Sequence, residues 1–398
     1  MVSPAYKPLL PEIWLQIFPL LSSKVLFEVT LTCQAFRVMA QPLLFQSLNI
    51  DISILRFQRQ EPAQSSLMPY ATDEMERNNQ RLTFYASSRV APSVISCKIS
   101  HWNLEWPPFL DSGVGDGDVV LDKFFQVLPK FVNLHKLFCF FIPFTDTGLR
   151  QLHLLRNLRE LSVEKCCITA VRPPPAAMRV DYLSWTQHDQ LAAGDLSHSS
   201  SDMQWFSIIE PRSALAIALR NIRDLRAVKN CLGERHMQHC LRSLSVPLTD
   251  EIPRLLVDVF KIHHCAATLQ SLIFHDTFSP ITLDVAGLPA ISMRSLIKYH
   301  GPYELLRVFV PSYAFRRFTL LDVTDPRRPY NPGEVINILL DLHTRGFATQ
   351  LEVLTIRVTH ITPHLLNSIC TLLVHLSDLD IHSSTYAAQG DAYTSKVS

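Results

Sequence analysis

A recurring apolar pattern constrains this chain more than any other feature. From Leu134 onward, two apolar residues three positions apart are followed, two positions later, by a third. The copies are Leu134/Leu137/Cys139, Leu158/Leu161/Val163, Val180/Leu183/Trp185, Leu241/Leu244/Val246, Leu269/Leu272/Phe274, Phe315/Phe318/Leu320, Leu351/Leu354/Ile356 and Leu376/Leu379/Ile381. This spacing points all three apolar residues inward from a short strand. Such a unit cannot bury its apolar face alone, so neighbouring units are predicted to stack.

The spacing of the copies is typical of leucine-rich repeats. Met293/Leu296 is interpreted as a degraded copy with Lys298 at its third position, and successive starts are then 24, 22, 61, 28, 24, 22, 36 and 25 residues apart. Most intervals lie near the period of about 20–29 residues of that class. The widest gap has room for one further unit, predicted around Ile222/Leu225. The alternative is a compact α/β domain whose leucines are spaced by chance, which eight copies disfavour.

A second register supports the repeats. In three copies an apolar residue stands ten positions after the first leucine and is followed directly by threonine. These threonines are Thr145, Thr169 and Thr362. Each threonine is predicted to cap a helix that returns along the convex side. Cys166 stands where the cysteine-containing class of these repeats has cysteine, so it is interpreted as a buried repeat position rather than as half of a redox pair with Cys167.

The chain in front of the repeats predicts three short helices between Leu9 and Ile50. Pro11 suits the first turn of a helix, and Ser22 and Ser23 make a break with N-cap chemistry. Thr32 is predicted to cap the third helix, which carries Pro42 near its end. Three helices in about forty residues are at the lower size limit for an independent core, so an apolar face is expected to remain uncovered.

The opening stretch resembles an F-box, the adaptor-binding module of cullin-RING ubiquitin ligases. The matching residues are Leu9-Leu10-Pro11-Glu12-Ile13, Ile17-Phe18, Leu21, Leu26, Cys33, Phe36-Arg37 and Ala40-x-Pro42-x-Leu44-Phe45. Leu10 departs from the pattern, since the family usually has proline there, and Pro11 follows it. The layout also resembles that of diverged fungal F-box proteins with irregular leucine-rich repeats.

The resemblance implies a non-catalytic role, the substrate-recognition subunit of an SCF-type ubiquitin ligase. Its partners would be the SCF adaptor protein, through it a cullin, and an unknown substrate protein marked for proteasomal degradation. Packing within the module is the alternative for each residue expected to contact the adaptor. These residues are Leu9, Leu10, Pro11, Ile13, Ile17 and Phe18. An alternative function is a non-ligase interaction scaffold whose F-box-like helices only cap the repeats.

The predicted fold class is α/β, a three-helix F-box followed by a curved leucine-rich-repeat solenoid. The predicted domains are the F-box at 5–50, a connecting region leading into the solenoid at 51–130, irregular repeats at 131–385 and a flexible tail at 386–398. Within the connecting region, Leu48–Ile52 and Val94–Ile99 are predicted strands, whereas the polar residues 56–80 indicate a loop or an exposed helix and 111–118 a turn.

Substrate contacts are expected from outward-facing residues of the strands on the concave side. Phe138 and Ile273 are apolar at positions expected to be wet, which is typical of a contact patch. Arg316 and Arg317 suit an acidic or phosphorylated partner, with ordinary solvated charge as the alternative. The full set of candidates is Phe138, Arg159, Ile273, His275, Arg316, Arg317, Thr355 and Arg357.

Composition favours a soluble intracellular protein, expected in the cytoplasm, the nucleus or both. A net charge of +1 with 18% charged residues gives no broad electrostatic footprint for nucleic acid or an anionic membrane. No apolar run is long enough to span a bilayer, and the first residues lack the basic start of a secretory signal. Nine cysteines without a regular framework suit a reducing compartment.

No catalytic motif or cofactor is predicted. Phosphate-loop, nucleophile-elbow and zinc-protease strings do not occur in the sequence. An enzyme-class rival would place a metal at His236, His239 and Cys240, with Cys231 upstream, but this spacing fits no common zinc site. Asp111, Asp116 and Asp118 lack the glutamate that closes a calcium loop, so they are interpreted as part of the turn.

Overall fold

The structure, a computed structural model, places the chain in two compact units, Met1–Val180 (unit 1) and Asp181–Ser398 (unit 2). It describes residues 10–53, 72–102, 116–170, 177–186, 205–219, 225, 240–263, 265–275, 283–311, 315–320, 329–383 and 396–397. Among the described helices, none has both the length and the apolar character needed to cross a membrane.

Unit 1 begins with three helices and continues into parallel strands. Its helices are α1 (Pro11–Ile17), α2 (Ser23–Thr32), α3 (Gln34–Leu44), α4 (Thr72–Tyr85), α5 (Asp116–Val127) and α6 (Asp146–His153). Its strands are β1 (Ser47–Ser53), β2 (Ser96–Trp102), β3 (Lys136–Phe140), β4 (Pro143–Phe144), β5 (Glu160–Glu164) and β6 (Cys167–Ile168). The next strand, β7 (Met178–Thr186), contains the division between the units.

Unit 2 alternates strands with connecting segments, several of them helical. Its helices are α7 (Trp205–Ile208), α8 (Ile252–His263), α9 (Pro332–Thr344) and α10 (Pro363–Leu372). Its strands are β8 (Ile209–Ala218), β9 (Leu241–Pro247), β10 (Ser271–His275), β11 (Ile291–Met293), β12 (Lys298–Gly301), β13 (Phe309–Pro311), β14 (Arg317–Leu320), β15 (Val353–Val358), β16 (Asp378–Ser383) and β17 (Lys396–Val397).

Most strands pair in the register that the sequence pattern predicts. In unit 1, β1, β2, β3 and β5 form parallel pairs in that order, and Leu137 lies opposite both Cys97 and Leu161. In unit 2, β8, β9, β10, β12, β14, β15 and β16 do the same. Equivalent buried residues therefore stack from strand to strand, which identifies leucine-rich repeats in both units.

A repeated hydrogen-bond motif fixes the frame of many of the copies. The carbonyl oxygen that follows the first apolar residue accepts two consecutive N–H groups of the next strand, as Ile95 O does from His135 (2.8 Å) and Lys136 (3.1 Å). The same arrangement recurs at Gln46, His135, Gln270, Ile297, Arg316 and Glu352. Two further repeat copies therefore precede the first predicted copy. They are Phe45/Leu48/Ile50 and Val94/Cys97/Ile99, and the two strands predicted there are confirmed.

The motif also corrects the frame of the degraded copy. Because Ile297 O is the double acceptor, the copy is Leu296/Tyr299/Gly301 rather than one that begins at Met293, and Lys298 faces outward. Gly301 lies at the third inward position, since a Cβ there would stand 2.5 Å from Phe274 Cδ2 and 2.8 Å from Tyr299 Oη. Two large rings fill the space that an apolar side chain occupies in the other copies.

The further unit predicted in the widest gap exists at a different place. β8 pairs with β9 through Leu215, opposite Leu241, and Ile217, opposite Leu244, with a shift in register between them. The predicted centre at Ile222/Leu225 was therefore wrong. A bulge of this kind breaks the Leu-x-x-Leu spacing, so the pattern could not be recognised in the sequence. Ile222 itself lies outside the described residues.

The caps follow the sequence prediction at most positions. Thr145 accepts a hydrogen bond from Gly148 N–H (3.2 Å) and begins α6, and Thr362 accepts one from Leu365 N–H (3.1 Å) and begins α10. Thr169 instead donates to Phe144 O (3.3 Å) after a two-residue strand. The predicted turn at 111–118 is corrected at its end, because α5 begins at Asp116.

Helix α4 covers the terminal strand of unit 1. The side chains of Asn78 and Arg81 donate to the carbonyl oxygens of Asp51 and Asn49 on β1, each at 3.0 Å. Asn78 is buried, so its amide would be costly to leave unbonded. A strand at the end of a sheet offers unpaired backbone groups, and α4 satisfies two of them.

Candidate protein-binding surfaces

The three N-terminal helices form a module with a thin core of its own, residues 10–44. Phe18, Leu26 and Ala40 are buried, and half-buried apolar residues surround them. Trp14, Phe18 and Phe36 form a group of rings with centroids 4.8–5.6 Å apart. Aromatic packing therefore supplies much of the apolar contact that so short a segment can make.

Local signals set the bounds of these helices. Pro11 occupies the first turn of α1, and Ser22 caps α2 by accepting from Val25 N–H (3.4 Å), both as predicted. The cap of α3 is Cys33 rather than Thr32, because Cys33 takes the extended conformation that ends α2, and its sulfur accepts from Phe36 N–H (3.5 Å). Arg37 ties the two helices together by donating from Nε to Thr30 O (3.2 Å).

The same module exposes large apolar side chains, which we call its open apolar residues. Leu20 is 84% exposed and Leu10 is 64% exposed, and six others are at least 39% exposed. The complete set is Leu10, Ile13, Leu15, Leu20, Val25, Phe27, Leu31 and Val38. Single exposed leucines are ordinary on a protein surface, but eight such residues within 29 positions are many for so short a segment.

The residues predicted to contact an adaptor divide between this surface and the core. Leu10, Pro11 and Ile13 are exposed, and Ile17 is half-buried. Phe18 is fully buried between the rings described above, so its side chain packs inside the module. Leu9 lies outside the described residues. Adaptor contact by these residues stays a prediction.

In unit 1 the outward face of the strands carries a complementary charge pair. Lys136 on β3 lies opposite Glu160 on β5, and Lys136 Nζ is 2.9 Å from Glu160 Oε2. Phe138 lies two residues further along β3 and is 40% exposed, as expected for a position that faces water. Arg159, just before β5, is exposed as well.

In unit 2 the predicted substrate residues lie on the outward face or at its edge. His275 on β10 is half-buried, and its Nδ1 is 3.2 Å from Ser245 Oγ. Arg316 forms an ion pair with Glu352 (2.8 Å), whereas Arg317 is exposed. Ile273 and Thr355 are half-buried on their strands, and Arg357 is exposed near the end of β15.

Sequence reasoning missed two outward residues of the same face, Lys298 and His300. Both belong to the copy whose frame was misread, which placed Lys298 inward. Lys298 lies opposite Arg317, and His300 lies between Ile273 and Thr319. Burial and, to a smaller extent, the charge of Lys298 lower the pKa of His300 to about 4, so the imidazole is neutral at physiological pH. The double-acceptor carbonyl of Ile297 is the signal that identifies them, and it is visible only in the structure.

The candidate metal residues are not brought together in the described part of the chain. Cys231, His236, His239 and Asp111 lie outside it, and the residues that are described contain no group of three potential metal ligands. Cys240 is buried, its thiol donates to Pro211 O (3.4 Å), and burial raises its pKa. Within the described residues this thiol therefore has a packing role.

The other repeat cysteines are buried thiols. Cys166 Sγ accepts a hydrogen bond from Ile142 N–H (3.4 Å) and donates one to Cys139 O (3.3 Å). Burial raises the pKa of Cys97, Cys139 and Cys166 well above the ordinary value of a thiol. Cys166 is buried while Cys167 is only half-buried, and the two do not form a disulfide, which confirms the interpretation of Cys166 as a repeat position.

Comparison with known proteins adds no relative by sequence. No family model and no curated protein matches the chain. Among solved structures, it is similar to an internalin from Listeria monocytogenes, known from a crystal structure at 1.91 Å, with 12% identity and a TM-score of 0.34 over 75% of this chain and 76% of that one. A likeness at that score carries no argument, so the repeat architecture rests on the strand register and on the double-acceptor carbonyls.

Proposed function

We propose that this chain is the substrate-recognition subunit of an SCF-type cullin-RING ubiquitin ligase. The N-terminal module binds the SCF adaptor protein, and the outward face of the repeats binds the substrate protein. The chain supplies no catalytic residue. It promotes ubiquitin transfer by holding a substrate lysine near the charged carrier, which replaces a rare encounter with a local one. This activity takes place in the cytoplasm, the nucleus or both.

The observation that carries the proposal is the set of open apolar residues on the module. A segment that exposed this much apolar surface in water would be prone to association unless a partner covered it. The adaptor-binding sequence pattern coincides with this segment, and three of its positions, Leu10, Pro11 and Ile13, are exposed. Sequence pattern and exposure thus support the same surface.

The rival role for the module, a cap on the repeats, has less support. The terminal strand β1 is covered by α4, through Asn78 and Arg81. Just after the module, Phe45 packs on Phe84 and Tyr85 of α4 with ring centroids 5.3 and 5.7 Å apart, and within the module Gln41 Oε1 accepts from Arg89 (3.4 Å). The module is therefore left with apolar surface that capping does not require.

The test is adaptor capture with variants of exposed residues. Leu10→Asp/Ile13→Asp changes two side chains that are 64% and 39% exposed, so we expect the fold to be kept. Capture of the SCF adaptor from the same organism should fall by about tenfold or more, because apolar anchors carry most of the energy of an interface. Phe18→Asp is unsuitable, since it would place a charge in the core of the module.

Val374→Asp is the matched control, because Val374 is 70% exposed in unit 2 and far in sequence from the module. It should capture the adaptor as the parent chain does. Failure of the folded parent chain to capture the adaptor, or equal capture by the Leu10→Asp/Ile13→Asp variant, would favour the non-ligase scaffold.

A further inference from the structure

Two cations stand side by side on the outward face of unit 2. Lys298 on β12 and Arg317 on β14 are register partners, and both are exposed. Neighbouring parallel strands are about 4.8 Å apart, so the two side chains start close together. Like charges placed directly opposite each other on a sheet are destabilising.

The charge pair is uncompensated within the described part of the chain. Neither Lys298 nor Arg317 forms an ion pair with a described residue, whereas the neighbouring Arg316 is held by Glu352 at 2.8 Å. The next acid in the same row is Asp378, which is two strands beyond Arg317, with Val353 between them. That separation is about 9–10 Å by strand spacing and is comparable with the screening length at physiological salt.

The surroundings of the pair suit an extended polypeptide. His300 is neutral and half-buried beside Lys298, and Ile273 and Thr319 flank it in register. This gives two charged groups at the start of the strands and a mixed hydrogen-bonding and apolar surface next to them. Nucleic acid binding requires many more phosphate contacts than two cations provide.

We propose that Lys298 and Arg317 form a docking site for an acidic segment of a protein, with His300 and Ile273 beneath the bound chain. Two carboxylates at alternate residues of an extended segment lie about 6.6–7 Å apart, a distance that two long cationic side chains on adjacent strands can span. Each contact is a charge-assisted hydrogen bond, and the guanidinium of Arg317 can make it bidentate. The inference rests on the proposed function in one respect, that the acidic segment belongs to the substrate.

The probe is a short fluorescent peptide in which Glu alternates with Ser, titrated with the full chain and followed by anisotropy. A matched peptide carries Gln at every Glu position. We expect the parent chain to bind the Glu peptide and not the Gln peptide. The Lys298→Gln/Arg317→Gln variant should bind about tenfold or more weakly, since two charge-assisted contacts are lost.

The control variant is Arg254→Gln/Lys261→Gln, which removes the same amount of charge from helix α8. Arg254 pairs with Asp284 (2.7 Å), and both side chains are exposed. This variant should bind the Glu peptide with an affinity within about twofold of that of the parent chain, because only the overall electrostatic field of the protein changes. Melting temperatures of both variants would be compared with that of the parent chain, and the Lys298→Gln/Arg317→Gln variant should melt no lower.

Three results would overturn the proposal. The first is no binding of the Glu peptide by the folded parent chain, and the second is an equal loss of affinity in the two variants. The third is binding only when phosphoserine replaces Glu, which would assign the site to a modified segment. Adaptor capture is scored separately, so its failure would count against the ligase role while peptide binding tested the site alone.

Discussion

The same position of the repeat carries opposite electrostatics in the two units. In unit 1, Lys136 on β3 faces Glu160 on β5, and the two form an ion pair at 2.9 Å. In unit 2, Lys298 on β12 faces Arg317 on β14, and both cations are exposed. The inward neighbours are built alike, since Leu137 stacks on Leu161 and Tyr299 on Phe318.

Packing and recognition are thus separated by one residue along each strand. Inward positions are fixed by the need to bury apolar area, so both strand pairs satisfy them. Outward positions carry no such requirement, so their charges are available for binding a partner. Four predictions, in order of decreasing change in stability, test how the two units are built.

The largest effect should come from the inward face. Phe318→Ala removes a ring that is 1% exposed, and we expect the free energy of unfolding to fall by about 3–5 kcal/mol in urea denaturation. The matched outward variant is Phe138→Ala, at a position that is 40% exposed, with an expected loss of about 0.5 kcal/mol or less. Comparable losses in the two variants would mean that β3 and β14 do not share one inward and outward assignment.

The next effect concerns the corrected copy in unit 2. In Gly301→Ala the new Cβ would stand 2.5 Å from the ring of Phe274 and 2.8 Å from Tyr299 Oη, which is itself bonded to Pro302 O at 2.7 Å. Neither buried ring can move freely, so we expect the free energy of unfolding to fall by about 1–3 kcal/mol.

Gly333→Ala is the matched glycine variant, because Gly333 lies in the first turn of α9 and the nearest atom to its new Cβ would be Asn331 Oδ1, at 3.5 Å. It should leave stability unchanged or raise it by up to about 1 kcal/mol in the same denaturation assay. If Gly301→Ala were equally neutral, the third inward position would not be filled by the two rings.

Loss of a helix N-cap is expected to lower stability equally in the two units. Thr145 caps α6 in unit 1, and Asn331 caps α9 in unit 2 with a capping box completed by Glu334. Replacing either residue by alanine should lower the free energy of unfolding by about 1 kcal/mol. Thr371→Ala is the control, since its hydroxyl bonds to Asn367 O inside α10 and caps nothing. A cap variant no different from Thr371→Ala would show that its helix does not depend on that cap.

Much of the repeat architecture could be predicted from the sequence, because burial enforces the spacing of the apolar residues. Leu354, for example, lies opposite Phe318 and Leu379, as the pattern indicates. The prediction failed where side chains from other positions fill an inward site. At Gly301 two rings from Phe274 and Tyr299 fill the inward position, so the copy lacks its third apolar residue.

The candidate sites were less accessible to sequence reasoning, because exposure depends on packing. Ile13 and Phe18 belong to the same apolar pattern of α1 and the following turn, yet one is 39% exposed and the other is fully buried. Lys298 and His300 were missed because a shift of three residues in the frame turned an outward pair into inward positions. An opposed pair such as Lys298 and Arg317 becomes visible only when the register of the strands is known.

The smallest expected effect tests the comparison most directly, because its sign should differ between the units. Lys136→Gln breaks the pair with Glu160 and should lower the free energy of unfolding by up to about 1 kcal/mol. Lys298→Gln removes a repulsion with Arg317 and should raise it by about 0.2–1 kcal/mol. Both changes should shrink in about 0.5 M salt, where exposed charges are screened. Should Lys298→Gln destabilise the chain as Lys136→Gln does, Lys298 would have an acidic partner in the free protein, and only Arg317 of the proposed pair would remain for a substrate.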